Sequence, residues 1–170
     1  MHATILIVVL FGCTAGAGAQ SFEIAGQVTG LHLHKVDETP IGIGARFHYN
    51  FHPMLAVDTE LTKYSENAAA LFGVRAGKRF SRAGFFVKAR AGVMHFGGGY
   101  FKQRLDARTH AITDIGGILE FYPSPRTFVR IDQGDTIIYY GGAKLFNRPN
   151  PDALGTVHNY QPGFGIGFRF

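Results

Sequence analysis

Side chains that could do chemistry are present in this 170-residue chain, but they rarely stand at the spacings a reaction centre uses. His32 and His34 lie two apart on one strand face, half of what a metal site needs. No second pair or carboxylate cluster lies near them, and His48, His52, His95, His110 and His158 are dispersed, so the pair reads as polar strand-end residues. Nucleophilic catalysis would need a Ser in hydrogen-bond geometry with a His and a carboxylate. Ser21, Ser65, Ser81 and Ser124 each fall near a turn or chain end, and no motif couples one to a His, so no catalytic residue is named and an enzyme is not expected. Gly97-Gly98-Gly99 lacks the Lys-Ser/Thr ending and following helix of a phosphate-binding loop and reads as a loop start. Arg130-Ile131-Asp132-Gln133-Gly134-Asp135 reads as a structurally paired Arg and Asp on a strand, with a Gly-Asp bulge or turn beside them. No cofactor is implied. The chain carries 17 Lys and Arg against 12 Asp and Glu, yet the cations are scattered, so nucleic acid is not an expected partner.

These residues must be positioned by strands. Twenty-three Gly disfavour a helix bundle, because each Gly inside a helix costs about 1 kcal/mol relative to Ala. Sixteen Phe and seven Tyr give the chain too much apolar surface for disorder. The N-terminus reads as an export signal: Ala3 to Phe11 is apolar and too short to span a bilayer, and Ala17-Gly18-Ala19 is a small-x-small cleavage pattern. The expected division is a signal peptide over 1–19 and one β-barrel domain over 20–170. Residue 2 is His, and no Lys or Arg precedes the apolar run, which is atypical of such signals. Leu10-Phe11-Gly12-Cys13 partly resembles a lipoprotein processing box, but Phe11 and the short preceding segment fit it poorly, so Cys13 is expected to leave with the signal.

Beyond the signal the dominant period is two. Ile41, Ile43, Ala45, Phe47, Tyr49 and Phe51 alternate with Gly42, Gly44, Arg46, His48 and Asn50, and the pattern recurs around Val74, Val87 and Phe168. Eight strands are predicted: Phe22–Val36, Ile41–Phe51, Leu55–Tyr64, Ala69–Phe80, Phe85–Phe96, His110–Tyr122, Thr127–Tyr140 and His158–Phe170. The breaks at 52–54, 81–84 and 123–126 are tight, whereas 97–109 and 141–157 are long, as in a membrane barrel with short turns at one end and longer loops at the other. The breaks near 37–40 and 65–68 are short as well, so the asymmetry is partial.

What occupies the polar face decides which face is inside. By parity it carries Arg46, Arg75, Arg79, Lys88, Arg90, Arg130 and Arg169 against Glu23, Asp58, Glu60, Asp114, Glu120 and Asp132, interleaved with Gly. Near-balanced charges among small residues suit a narrow lumen, where unpaired charges would be costly. Arg46, Asp58, Glu60, Arg75, Lys88, Arg90, Glu120, Arg130 and Asp132 are therefore the expected lumen network. The other face holds aliphatics in mid-strand, with Tyr64, Phe80, Tyr100, Phe101, Phe121, Tyr122, Tyr139 and Tyr140 near strand ends, where interfacial girdles sit, although Trp is missing. Lys63 and Lys78 fall on this apolar face near strand ends, within reach of headgroups.

The chain ends Phe164-Gly165-Ile166-Gly167-Phe168-Arg169-Phe170, with apolar residues at every second place up to a terminal Phe. This looks like the terminal signal of bacterial outer-membrane barrels, and essentially all of the mature sequence resembles the small eight-stranded barrels of the OmpA type. The resemblance implies an all-β, eight-stranded antiparallel up-and-down transmembrane β-barrel in the bacterial outer membrane. It also implies an insertion machinery that reads Phe164, Ile166, Phe168 and Phe170, and outer-membrane lipids as surroundings. With the chain stopping at Phe170, no peptidoglycan-binding domain is expected. The expected role is structural or interactive, with the long loops as the place for an external ligand; outside the lumen, ten cations face six acids, a bias toward anionic surface sugars. The alternative is a soluble exported barrel or sandwich binding an apolar ligand, which places Phe47, Val74, Val87 and Phe168 in a core and Arg46, Arg75, Arg90 and Arg169 in water.

Overall fold

The computed structural model describes residues 21–35, 37–97, 108–144 and 153–170. Eight strands follow one another: β1 Phe22–Gly30, β2 Ile41–His52, β3 Leu55–Tyr64, β4 Asn67–Arg79, β5 Ala83–Phe96, β6 Thr109–Phe121, β7 Thr127–Lys144 and β8 Ala153–Arg169. Each pairs antiparallel with its sequence neighbour, and β1 pairs with β8, so the sheet closes into an up-and-down barrel with no free edge. The extent of the signal peptide, Cys13, Tyr100 and Phe101 lie outside the described residues.

The strand ends depart from the sequence reading by more than two residues at three places. β1 stops at Gly30 rather than Val36, and the chain continues through single bridges, His32 to Tyr160 and Leu33 to Glu38, as Asp37 turns it back with a positive φ of 53°. β7 and β8 are longer than predicted, 18 and 17 residues, so the break at 141–157 shrinks to 145–152. The reason is bulging: the β7–β8 register shifts around Gly141, whose φ of 59° suits a residue without a side chain, and pairing then resumes. The bulge expected at Gly134-Asp135 is absent, because Gly134 and Asp135 pair in unbroken register with Gln161 and Tyr160.

The two faces separate cleanly. Phe72, Phe85, Val87 and Phe168 are 63%, 56%, 53% and 55% exposed on the outside, while Arg46, Arg75, Arg90 and Arg130 are 2%, 1%, 3% and 1% exposed within. This overturns the soluble alternative, which requires the opposite assignment. In water, so many half-exposed Phe, Ile and Val side chains would leave an uncovered apolar belt far larger than soluble monomers tolerate. The girdle assignment is corrected at three residues. Tyr64 and Tyr140 point inward, 1% and 7% exposed, and Tyr122 is half-buried against Arg169. Parity explains the first two: Tyr64 shares its face with Asp58, Glu60 and Thr62, and of the adjacent Tyr139 and Tyr140 only one can face out. Phe80, Phe121 and Tyr139 are exposed, as are Lys63 and Lys78.

Glycine on the inner face lets neighbouring strands and side chains come close. A Cβ on Gly134 would lie 2.4 Å from Asp114 Oδ1 and 3.0 Å from Lys88 Nζ, so the absence of a side chain there makes room for an ion pair.

Candidate functional site

The interior is stacked in layers along the barrel axis, and the alternation of each strand decides what it contributes. Nearest the tight turns, Glu23 of β1 and Glu120 of β6 are the two carboxylates of the first layer. Arg75 of β4 bridges them, its Nη2 2.5 Å from Glu23 and its Nη1 2.7 Å from Glu120. Arg130 on β7 adds a contact of 2.5 Å to Glu120, and Arg79 pairs with Glu23. Arg169 of β8 lies 3.5 Å from Glu23 and 3.7 Å from Glu120, with its guanidinium 3.8 Å above the Tyr122 ring. Tyr122, in the β6–β7 turn, donates its hydroxyl to Glu120 at 2.9 Å; burial and the Glu120 charge push its ionisation up to about 12.

The second layer is centred on Arg46 and Arg90. Arg46 reaches Glu60 at 2.7 Å and pairs with Asp132. Arg90 reaches Glu60 and Asp114, each at 2.6 Å, and lies 3.6 Å from Asp58. Lys88 closes the ring, 2.8 Å from Asp114 and 2.6 Å from Asp132. Contacts therefore run between strands that are not sheet neighbours, such as β2 to β7 and β3 to β5, across the lumen. Charge is unevenly shared: the first layer holds four cations and two carboxylates, the second three cations and four carboxylates. Their opposite imbalance favours adjacency.

His48 stands between the layers, its Nε2 3.3 Å from Asp58 and 3.1 Å from Arg130 Nη1. In the sequence it is one of several dispersed histidines, and its parity with Arg46, which puts it on the polar face, is the signal that singles it out. Above the charges comes a neutral layer in which Thr62 donates to Glu60 at 2.7 Å, and Gln161 reaches Thr29 at 3.3 Å and the Tyr64 hydroxyl at 3.2 Å. Toward the loop end the interior turns apolar, with Leu31, Leu71, Met94, Phe96, Ile112, Ile138 and Tyr140 packed together. Strand alternation places these residues on the inner face, but an inner face read as polar throughout, with Tyr140 assigned to the outer girdle, conceals this apolar cluster.

All nine lumen candidates, Arg46, Asp58, Glu60, Arg75, Lys88, Arg90, Glu120, Arg130 and Asp132, lie inside the barrel and within this set of contacts. Phe164, Ile166, Phe168 and Phe170 form one outward row on the closing strand, each half-exposed or more. Of the other candidates, His32 contacts Thr39 at 3.0 Å and stacks edge-on with His34, and among the described residues no group of three or more His, Cys, Asp or Glu is placed to hold a metal. Ser124 accepts the backbone N–H of Thr127 at 3.1 Å, which fastens the β6–β7 turn. Asp135 faces outward and pairs with His158 at 2.6 Å.

No family model and no curated protein matches the chain. Solved structures do. Neisserial surface protein A matches with a TM-score of 0.58 at 16% identity, covering 90% of this chain and 99% of that one. The N-terminal β-barrel domain of Pseudomonas aeruginosa OprF matches at 0.56 and 13%, covering 87% and 97%. A de novo designed transmembrane β-barrel matches at 0.52 and 11%, covering 87% and 95%. The fold is therefore that of the small eight-stranded transmembrane β-barrels.

Proposed function

We propose that the chain is an integral barrel of the bacterial outer membrane, with a structural or interaction role in the cell envelope rather than a catalytic one. The observation that carries this is the inversion of faces: ion pairs fill the inside and a mainly apolar band, broken by Thr59, Thr113 and Gln133, covers the outside. On β8 the outward residues are apolar from Phe170 to Pro162, and Tyr160 and His158 follow, close to the 9–11 residues a tilted strand needs to cross a bilayer. β7 and β8 then continue toward the loop end for a further seven or so residues, about 15–20 Å along the axis at usual rise and tilt. The apolar cluster inside that extension acts as the core of a stiff collar, holding the loop-end segments clear of the lipid for an external ligand, with the excess cations outside the lumen favouring an anionic one.

In this reading the lumen network is a cross-strand staple and a plug, so the barrel is not a solute pore. Eight strands leave an interior just wide enough for side chains to fill. Residues 1–19 direct export and are removed, and the row Phe164, Ile166, Phe168 and Phe170 is what the insertion machinery reads.

Expression of the full chain in a Gram-negative host tests this. The expected product begins at Gln20, sediments with the outer membrane, and runs at a different apparent size on a detergent gel before and after boiling. Deleting Phe170 should cut its accumulation there several-fold. A product found soluble in the periplasm, or unaffected by loss of Phe170, would contradict the reading.

A further inference from the structure

On the outer face of β2–β5 a groove of about 650 Å³ runs down from the loop end. Its floor is Ala68 and Ala70 on β4; Leu61 on β3 and Val93 on β5 form its walls, and Phe72 stands in the next row below. The strands carrying the two walls are two sheet spacings apart, about 10 Å, with only methyl groups between them. At the top, Lys63, Ala68 and His95 form one cross-strand row, so a cation and an imidazole flank the groove where the strands approach their ends.

We infer that this groove holds one acyl chain of a lipid with a phosphate-bearing headgroup in the loop-side leaflet, and that Lys63 and His95 hold the phosphate. The inference rests on the outer-membrane reading above and adds a ligand to it. Three observations support a lipid. The groove opens sideways into the apolar band, so an occupant must be apolar along its length. It ends level with the Asp135–His158 pair and Tyr160 on the opposite wall, where the outer face turns polar, so the occupant must be polar at that height. Lys63 is exposed and has no carboxylate partner among the described residues, leaving its charge for an anion. His95 Nδ1 lies 2.9 Å from the Thr109 hydroxyl; when that hydroxyl donates, Nε2–H is the imidazole's remaining donor. A lysine stem lying along apolar surface with its ammonium at headgroup level suits the site.

The mature barrel, reconstituted in phosphatidylcholine vesicles containing lipid A and then gently extracted, can be tested by native mass spectrometry for retained lipid A. The parent chain should retain one molecule. Lys63→Gln with His95→Gln, which removes the headgroup contacts, and Ala70→Phe, which fills the groove, should each weaken retention about tenfold. Ala89→Phe, outward on β5 but outside the groove, should leave it unchanged. Equal retention by all variants, equal retention of dephosphorylated lipid A, or displacement by inorganic phosphate alone would overturn the inference. The heat-dependent gel shift reports folding of each variant separately, and should Ala70→Phe fail to fold, the Lys63/His95 pair decides. A parent chain that enters vesicles but retains no lipid A refutes the lipid site alone; one that never enters them refutes the outer-membrane reading as well.

Discussion

Replacing Arg90 by Leu is expected to destabilise the barrel by about 3–5 kcal/mol, the usual cost of removing one partner from a buried charge network. Arg90 is 3% exposed and contacts Glu60 and Asp114 at 2.6 Å each, with Asp58 at 3.6 Å. Leucine fills much of the volume but leaves the second layer with two cations for four carboxylates. Arg46 and Lys88 already serve Glu60, Asp114 and Asp132, and the room that Gly134 leaves is already filled by the Lys88–Asp114 pair. Urea unfolding in lipid vesicles, followed by the heat-dependent gel shift, measures the loss. Arg90→Lys should recover part of it, since a point charge restores the neutralisation but not the forked contact. A loss below about 1 kcal/mol would show that the layer does not hold the strands together.

Phe47→Arg should cost about 2–4 kcal/mol in vesicles, the penalty for a guanidinium near the bilayer midplane on a barrel's lipid face. Phe47 lies midway along the outward row of β2, level with Phe72 across β3, and its ring is 5.9 Å from that of Phe22. The penalty should depend on depth: the same change at Ile41, which opens β2 and is 69% exposed, should cost no more than about 1 kcal/mol. Equal costs at the two positions, or none at Phe47, would mean that this face does not meet hydrocarbon.

Period-two alternation made the strands legible, and the charges on one face told which side was enclosed, so the barrel could be read from residues such as Arg46, Arg75 and Arg90 against Phe47, Val74 and Val87. Parity fixes a face but not a neighbour. The pairing of Arg46 with Asp132 or Arg75 with Glu23 spans the lumen and depends on how the strands are staggered, which no local pattern encodes. Beyond its parity His48 is silent in the sequence, because a histidine gains a role only once Asp58 and Arg130 are placed beside it. The apolar cluster around Phe96 and Tyr140 is hidden for another reason: the same inward face is polar toward the tight turns and a hydrophobic core toward the loop end. The ends of β7 and β8 are not legible because Gly141 and Gly155 read as loop, whereas positive φ at each of them accompanies a bulged strand.

The chain contains no Trp, so a single introduced indole reports its surroundings without background. Fluorescence of Phe72→Trp and of Phe86→Trp, each reconstituted in vesicles of phosphatidylcholine brominated on its acyl chains, would test most directly which face meets lipid. Phe72 is 63% exposed on the outside, and Phe86 is 2% exposed within, its ring 4.6 Å from the Arg75 guanidinium. Strong quenching of the Phe72→Trp signal with little quenching of the Phe86→Trp signal is the predicted result; the reverse, or equal quenching of both, would contradict a charged interior enclosed by a lipid-facing apolar wall.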